Sequence, residues 1–247
     1  MKFAAFQRVC VGLAMMAALT GCVSLPPQQA YNRDATPPIK TIVVLPVTPI
    51  EPNVLMMNHP GANFGLIGGL VAAANMAGKR DRLQAACDAA KFDPAVYFRE
   101  SLTQRMAERG YTLVWPGAMV EPKGSKTARG VFGLRKAYTH QPQADAQLDL
   151  SVNFVGYAAA GAGDDAPYRP MLSVAARLVS QDGKQNYFTD FVVYNNVLNQ
   201  AKVITLEPEA QRFAYADFDA LEDAGAETVE GIKLAIDRTS DALVRQL

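Results

Sequence analysis

Between residues 144 and 195 the chain spells out three strands in succession, and this stretch limits the available folds more than any other. In QLDLSVNF, Leu148, Leu150, Val152 and Phe154 alternate with Gln147, Asp149, Ser151 and Asn153. A period of two puts the apolar set on one face and the polar set on the other, which predicts a half-buried antiparallel strand with one wet face. Leu172, Val174, Ala176 and Leu178 repeat the pattern, and Gln181-Asp182-Gly183-Lys184 supplies an Asp-Gly turn into QNYFTDFVVYNN. The second and third strands are therefore expected to form a tight hairpin.

The elements around this meander fix the class. Ile42 to Leu45 is a continuous apolar run ending at Pro46, as expected of a strand covered on both faces. In FDPAVYFRESLTQRMAERG, Asp93 can cap a helix, Pro94 suits its first turn, and Phe92 with Tyr97 can staple the entry. Phe98, Leu102 and Met106 share one stripe, Gly110 is placed to end the helix, and YTLVWP reads as the next strand. From about Gly225, Val229, Ile232, Ile236, Leu243 and Leu247 fall at helical spacing. The expected fold is α/β of the α+β type: a mixed sheet of about five strands with two main helices on one face, in the order β-α-β-β-β-α.

The chain opens MKFAAFQRVCVGLAMMAALTGC. Lys2 and Arg8 form a positive region ahead of an apolar run from Val9 to Leu19, too short to span a bilayer and consistent with a signal peptide. Leu19-Thr20-Gly21-Cys22 resembles the lipobox of bacterial lipoproteins. That resemblance implies cleavage after residue 21, a diacylglycerol on the Cys22 sulfur and a further acyl chain such as palmitate on its amine. With Val and not Asp at position 23, it also implies sorting to the outer membrane, on the periplasmic face. Two or three acyl chains hold far more firmly than one, at roughly 0.8 kcal/mol per buried CH₂. Residues 22–39, rich in Pro, Gln and Ala, read as a lipidated tether, and 40–247 as a single periplasmic domain with a glycine-rich apolar insertion at about 54–78. Once residues 1–21 are removed, 22 basic residues face 24 acidic ones and Cys87 is the remaining thiol besides Cys22. A near-neutral chain with one Trp argues against nucleic acid, and a lone thiol cannot form an internal disulfide.

Short motifs in the domain resemble periplasmic lipoproteins with a TolB-N-terminal or CsgG-like α/β domain. They are Leu45-Pro46 closing the first strand, Gly110-Tyr111 between helix and second strand, and Ala144-Asp145 opening the next strand. The resemblance implies a binding and assembly module of the envelope. Pore-forming hairpins of alternating residues are not seen, so channel activity is not carried over.

The insertion holds an unusual stripe. Gly61, Gly65, Gly69, Ala73 and Ala77 recur every four residues, and residues 54–78 contain no Asp, Glu, Lys or Arg. Small residues at that spacing let helix backbones approach closely, whereas each glycine costs roughly 1 kcal/mol in a water-exposed helix. Three readings stay open: a glycine-rich loop or small helix packed on its own domain, a helix–helix contact in a homo-oligomer or with an envelope partner, and insertion at the membrane interface with Lys79, Arg80 and Arg82 at the headgroups.

Charge is unevenly spread as well. Lys123, Lys126, Arg129, Arg135 and Lys136 oppose only Glu121 between 121 and 141, while residues 207–230 carry eight acids against Arg212. Either these are two solvated surfaces, or the basic run meets an anionic partner such as lipopolysaccharide phosphate or an acidic protein face. His59 and His140 have no Cys, Asp or His neighbour at ligand spacing, GAGDD at 161–165 lacks the spaced oxygens of a calcium loop, and no nucleophile elbow or phosphate loop is spelled out. No catalytic residue, metal ligand or cofactor other than the covalent lipid is expected. The sequence reads as a non-enzymatic binding or assembly lipoprotein; the rival reading is a periplasmic hydrolase or small-ligand binder.

Overall fold

The structure is a computed structural model, and it describes residues 27–247 apart from 35, 61–64, 123, 163–164, 196, 198–202 and 210. A sheet of seven strands carries its helices on one face. The strands are β1 (Thr41–Val44), β2 (Asn53–Met56), β3 (Thr112–Val114), β4 (Ala146–Ala159), β5 (Arg169–Ser180), β6 (Asn186–Tyr194) and β7 (Ile204–Leu206). The helices are α1 (Gly65–Ala89), α2 (Pro94–Glu108), α3 (Phe218–Asp223) and α4 (Ala226–Arg245).

The order across the sheet is β3-β1-β4-β5-β6-β7, with β2 pairing β4 beyond the end of β1. β4, β5 and β6 form the expected antiparallel meander, and β1 lies parallel to both β3 and β4. The mixed α+β class holds, but about five strands becomes seven. The two additions are β2 and β7, of four and three residues, too short for alternation to announce them. β2 enters the sheet because Gly156, at φ +140°, lets Asn53 lie alongside: a Cβ at Gly156 would meet the Asn53 carbonyl oxygen at 1.9 Å.

The helix signals behave as their chemistry requires. The Asp93 carboxylate accepts from the Ala95 and Val96 N–H groups at 2.8 and 3.2 Å, and the rings of Phe92 and Tyr97 sit 5.7 Å apart across the cap. Phe98, Leu102 and Met106 are buried against Val229, Ile232, Ile236, Leu243 and Leu247 of the α4 end, forming one core with the Leu148, Leu150 and Val152 face of β4. Gly183 takes φ +73° in the turn between β5 and β6.

Two expectations about β4 are corrected. A bulge between Val152 and Phe154 changes the parity, so the helix-facing set continues as Val155, Tyr157 and Ala159, while Phe154 turns to the opposite face. Nor is that opposite face wet at Gln147, Asp149 and Ser151, which are fully buried. The connection from 116 to 143 lies across them. Val47 pairs with this connection through the Met119 carbonyl and the Glu121 N–H, each at 2.8 Å, and an Arg129–Arg135 bridge folds its far part into a small hairpin. At its tip Phe132 and Leu134 cap a second apolar cluster of Met171, Ala175, Phe191 and Val193.

Residues 27–34, read as part of the tether, lie against the body. The Gln29 N–H and carbonyl pair with Thr189 of β6 at 2.8 and 2.9 Å, and Tyr31 packs on the main core.

Candidate functional site

Of the glycine stripe, Gly61 lies outside the described residues, and the positions from Gly65 to Ala77 fall on α1. Gly65 and Gly69 lie in the helix, Ala73 is exposed and Ala77 half-buried. The helix is about 37 Å long at 1.5 Å per residue, and its two halves differ. The half from position 79 onward is bound to the body. Leu83 and Cys87 are buried, Lys79 donates to the Tyr168 hydroxyl at 3.0 Å, and Arg82 reaches Glu222 at 2.7 Å with its guanidinium over Phe218. Lys79 and Arg82 are thus engaged with Tyr168, Phe218 and Glu222, and Arg80 sits beside Asp81 at 3.3 Å. The half before them has no ionisable side chain, and Ala73, Ala74 and Asn75 face solvent. Among the described residues no helix is long and apolar enough to cross a membrane.

Burial raises the Cys87 thiol to about 11, with Asp88 adding to the effect, so it is not a nucleophile at neutral pH. Cys22 lies outside the described residues.

The five basic residues of the 121–141 run do not form one surface. Lys126 and Lys136 are exposed, Lys123 lies outside the described residues, and Arg129 and Arg135 turn inward. Arg129 reaches the Glu121 carboxylate at 2.9 Å, and Arg135 binds the same oxygen. Both also donate to the Pro46 carbonyl, at 3.0 and 2.9 Å. Beneath them sits the fully buried Asp149, which accepts from the Arg135 N–H at 2.6 Å and the Tyr138 hydroxyl at 3.0 Å, with guanidinium nitrogens of Arg135 and Arg129 at 3.6 and 3.8 Å. Arg177 of β5 completes the cluster by donating to the Tyr138 hydroxyl and the Arg135 carbonyl, each at 3.3 Å.

This is a buried two-acid, three-arginine latch that holds the 116–143 connection on the sheet. Its electrostatics are split. Burial is the largest single influence on both acids. It pushes Asp149 above the ordinary carboxylate range despite its donors, whereas at Glu121 it is outweighed by the combined pull of Arg129, Thr127 and Arg135, which hold that carboxyl below its ordinary value. Tyr138, buried beside Asp149, rises to about 12. Sequence reasoning counted the arginines and missed the latch because Asp149 sits on a strand whose polar residues read as solvent-facing. No local signal marks it, because Glu121 and Asp149 come from separate segments.

His140 is exposed, and no group of three or more His, Cys, Asp or Glu side chains among the described residues is placed to hold a metal ion.

No family model matches the chain, and no curated protein matches it. Among solved structures it is similar to the crystal structure of lipoprotein GNA1162 from Neisseria meningitidis, at 19% identity over 62% of this chain and 81% of that one, with a TM-score of 0.29. A likeness at that level carries no conclusion about this chain.

Proposed function

We propose that this chain is a lipid-anchored component of a bacterial envelope, held at the outer membrane by acyl chains on Cys22, whose periplasmic α/β domain binds or assembles and does not catalyse. The TolB-N-terminal or CsgG-like resemblance of its short motifs belongs to this reading. One observation carries it: α1 is docked by its charged half, and ahead of that the helix continues uncharged, with Ala73, Ala74 and Asn75 exposed. Small residues spaced for close backbone contact suit a second helix, from another copy or an envelope protein. The buried ionic groups support the same reading, since Asp149, Glu121, Arg129 and Arg135 are occupied in holding the fold together. Lys126 and Lys136 keep the anionic-partner role proposed for the basic run.

Crosslinking in intact cells tests the proposal, comparing the native chain with Gly65→Leu/Gly69→Leu at equal abundance and lipidation. A defined crosslinked species should be present for the native chain and absent for the variant. Identical patterns for the two would overturn the association role of α1.

A further inference from the structure

The arm at residues 28–33 is fastened at four points to parts of the chain that are remote in sequence. Gln28 donates through its amide to Asp190 at 2.9 Å, and Gln29 makes both main-chain bonds to Thr189. Tyr31 packs into the main core, and Arg33 donates to the main-chain oxygen of Leu247 at 2.8 Å. We infer that this arm is a clasp that sets where the membrane anchor leaves the domain: with a lipid on Cys22, the β6 edge is held next to the bilayer, and α1, across the sheet, faces away from it. The inference rests on the Cys22 lipidation proposed above.

Chain length gives the scale. Cys22 lies six positions before Gln28, and at 3.3–3.6 Å per extended residue it is at most about 20 Å from where the arm meets the β6 edge. Without the clasp the first fixed position would be Lys40, whose N–H is bound by Asp145, and the same arithmetic gives a leash of about 60 Å. The clasp therefore shortens the leash threefold. It also moves the exit point from β1 to β6, three strands further across the sheet.

The opposite edge is where α1 lies. β2 pairs β4 on the side away from β5, and the docked half of α1 shares a groove with Ile50, Glu51 and Pro52 just before β2. The β6 side presents Gln28, Gln29, Lys184 and Gln185, polar groups suited to lie beside headgroups and not within hydrocarbon. Membrane contact thus falls on the edge that lacks the uncharged helix.

The test uses the full lipidated chain in phosphatidylethanolamine/phosphatidylglycerol vesicles carrying a headgroup-labelled energy acceptor. A donor is placed at Lys184→Cys or Asp81→Cys, both exposed, with Cys87 protected by burial. Transfer from position 184 should exceed that from 81 severalfold. The difference should shrink in Gln29→Pro/Arg33→Ala, and also when a Gly-Ser insertion as long as the arm is placed before Gln28, which lengthens the leash and leaves the domain intact. Equal transfer from the two positions in the unmodified chain, or a difference indifferent to the insertion, overturns the clasp. Cys22→Ser separates the two claims: flotation with vesicles that does not need Cys22 overturns the lipid reading, whereas lipid-dependent flotation with equal transfer overturns the clasp alone.

Discussion

Gly133 sits where the 116–143 connection presses hardest on the sheet, and it offers a sharp test of that contact. A Cβ built there would lie 2.0 Å from the Ser151 hydroxyl oxygen and 2.9 Å from its Cβ, and the residue holds φ +78°. Gly133→Ala therefore carries two costs. The left-handed backbone costs an L-residue roughly 1–2 kcal/mol. The collision adds an overpacking penalty of about 1–3 kcal/mol, because Ser151 is buried on β4 and cannot swing clear. The sum, about 2–5 kcal/mol, is not itself the test, since any damaging substitution could match it. Ser151→Gly removes both colliding atoms and leaves only the backbone term. In that background Gly133→Ala should cost only the roughly 1–2 kcal/mol of the first term, a coupling of about 1–3 kcal/mol between the two sites. Urea unfolding of the four chains in the cycle measures it, and hydrogen exchange across 128–138 shows whether the hairpin or the whole domain yields. Coupling below about 0.5 kcal/mol, the range of independent sites, would refute close contact between connection and sheet.

Two further outcomes follow from the latch and from the strand entrance. Asp149→Ala leaves the Arg135 N–H and the Tyr138 hydroxyl without their buried acceptor and removes one of the two acids beside the Arg129 and Arg135 guanidiniums, and should cost about 3–5 kcal/mol in urea unfolding; a loss under 1 kcal/mol would mean the cluster is solvated. Asp145 titrates below its ordinary 3.8 because the Thr41 and Lys40 N–H groups donate to it, at 2.8 and 2.9 Å. A depressed carboxylate stabilises the fold above its unfolded pKa and loses that contribution as pH falls through the folded value. Asp145→Asn should therefore flatten the decline in stability below about pH 3.8, and an unchanged acid limb in thermal melts would contradict this.

What the sequence disclosed depended on how locally each feature is determined. The α2 cap, its staple and the Phe98, Leu102, Met106 stripe are decided within one or two turns, and so is the Asp182-Gly183 hairpin. Those readings needed no tertiary information. Phe154 went to the wrong face because a single extra residue in β4 reverses parity without any mark in composition. Gln147, Asp149 and Ser151 looked solvent-facing because alternation reports polarity, not exposure. What covers them arrives from residues 121–143, and no periodicity in β4 announces that. The arginines of that run were misjudged for the same reason: their partners, Glu121, Asp149 and the Pro46 carbonyl, come from three separate segments.

The division within α1 shows how composition and architecture meet. Its first charged residues, Lys79 to Arg82, appear where the helix reaches the body, and two of them bind Tyr168 and Glu222. Ahead of them, helix physics in water offers nothing to favour glycine, at roughly 1 kcal/mol for each of Gly65, Gly68 and Gly69. Such a segment is maintained most economically when another surface covers it. A bilayer could serve, but a clasp at β6 with about 20 Å of chain to the anchor turns the membrane toward the other edge of the sheet. On the proposed reading a protein partner is that cover, and the Leu substitutions at Gly65 and Gly69 become informative in both directions. They add apolar area, which would strengthen interfacial insertion and block close helix pairing. Tighter vesicle binding together with unchanged crosslinking would favour the membrane; lost crosslinking with unchanged vesicle binding would favour a protein partner.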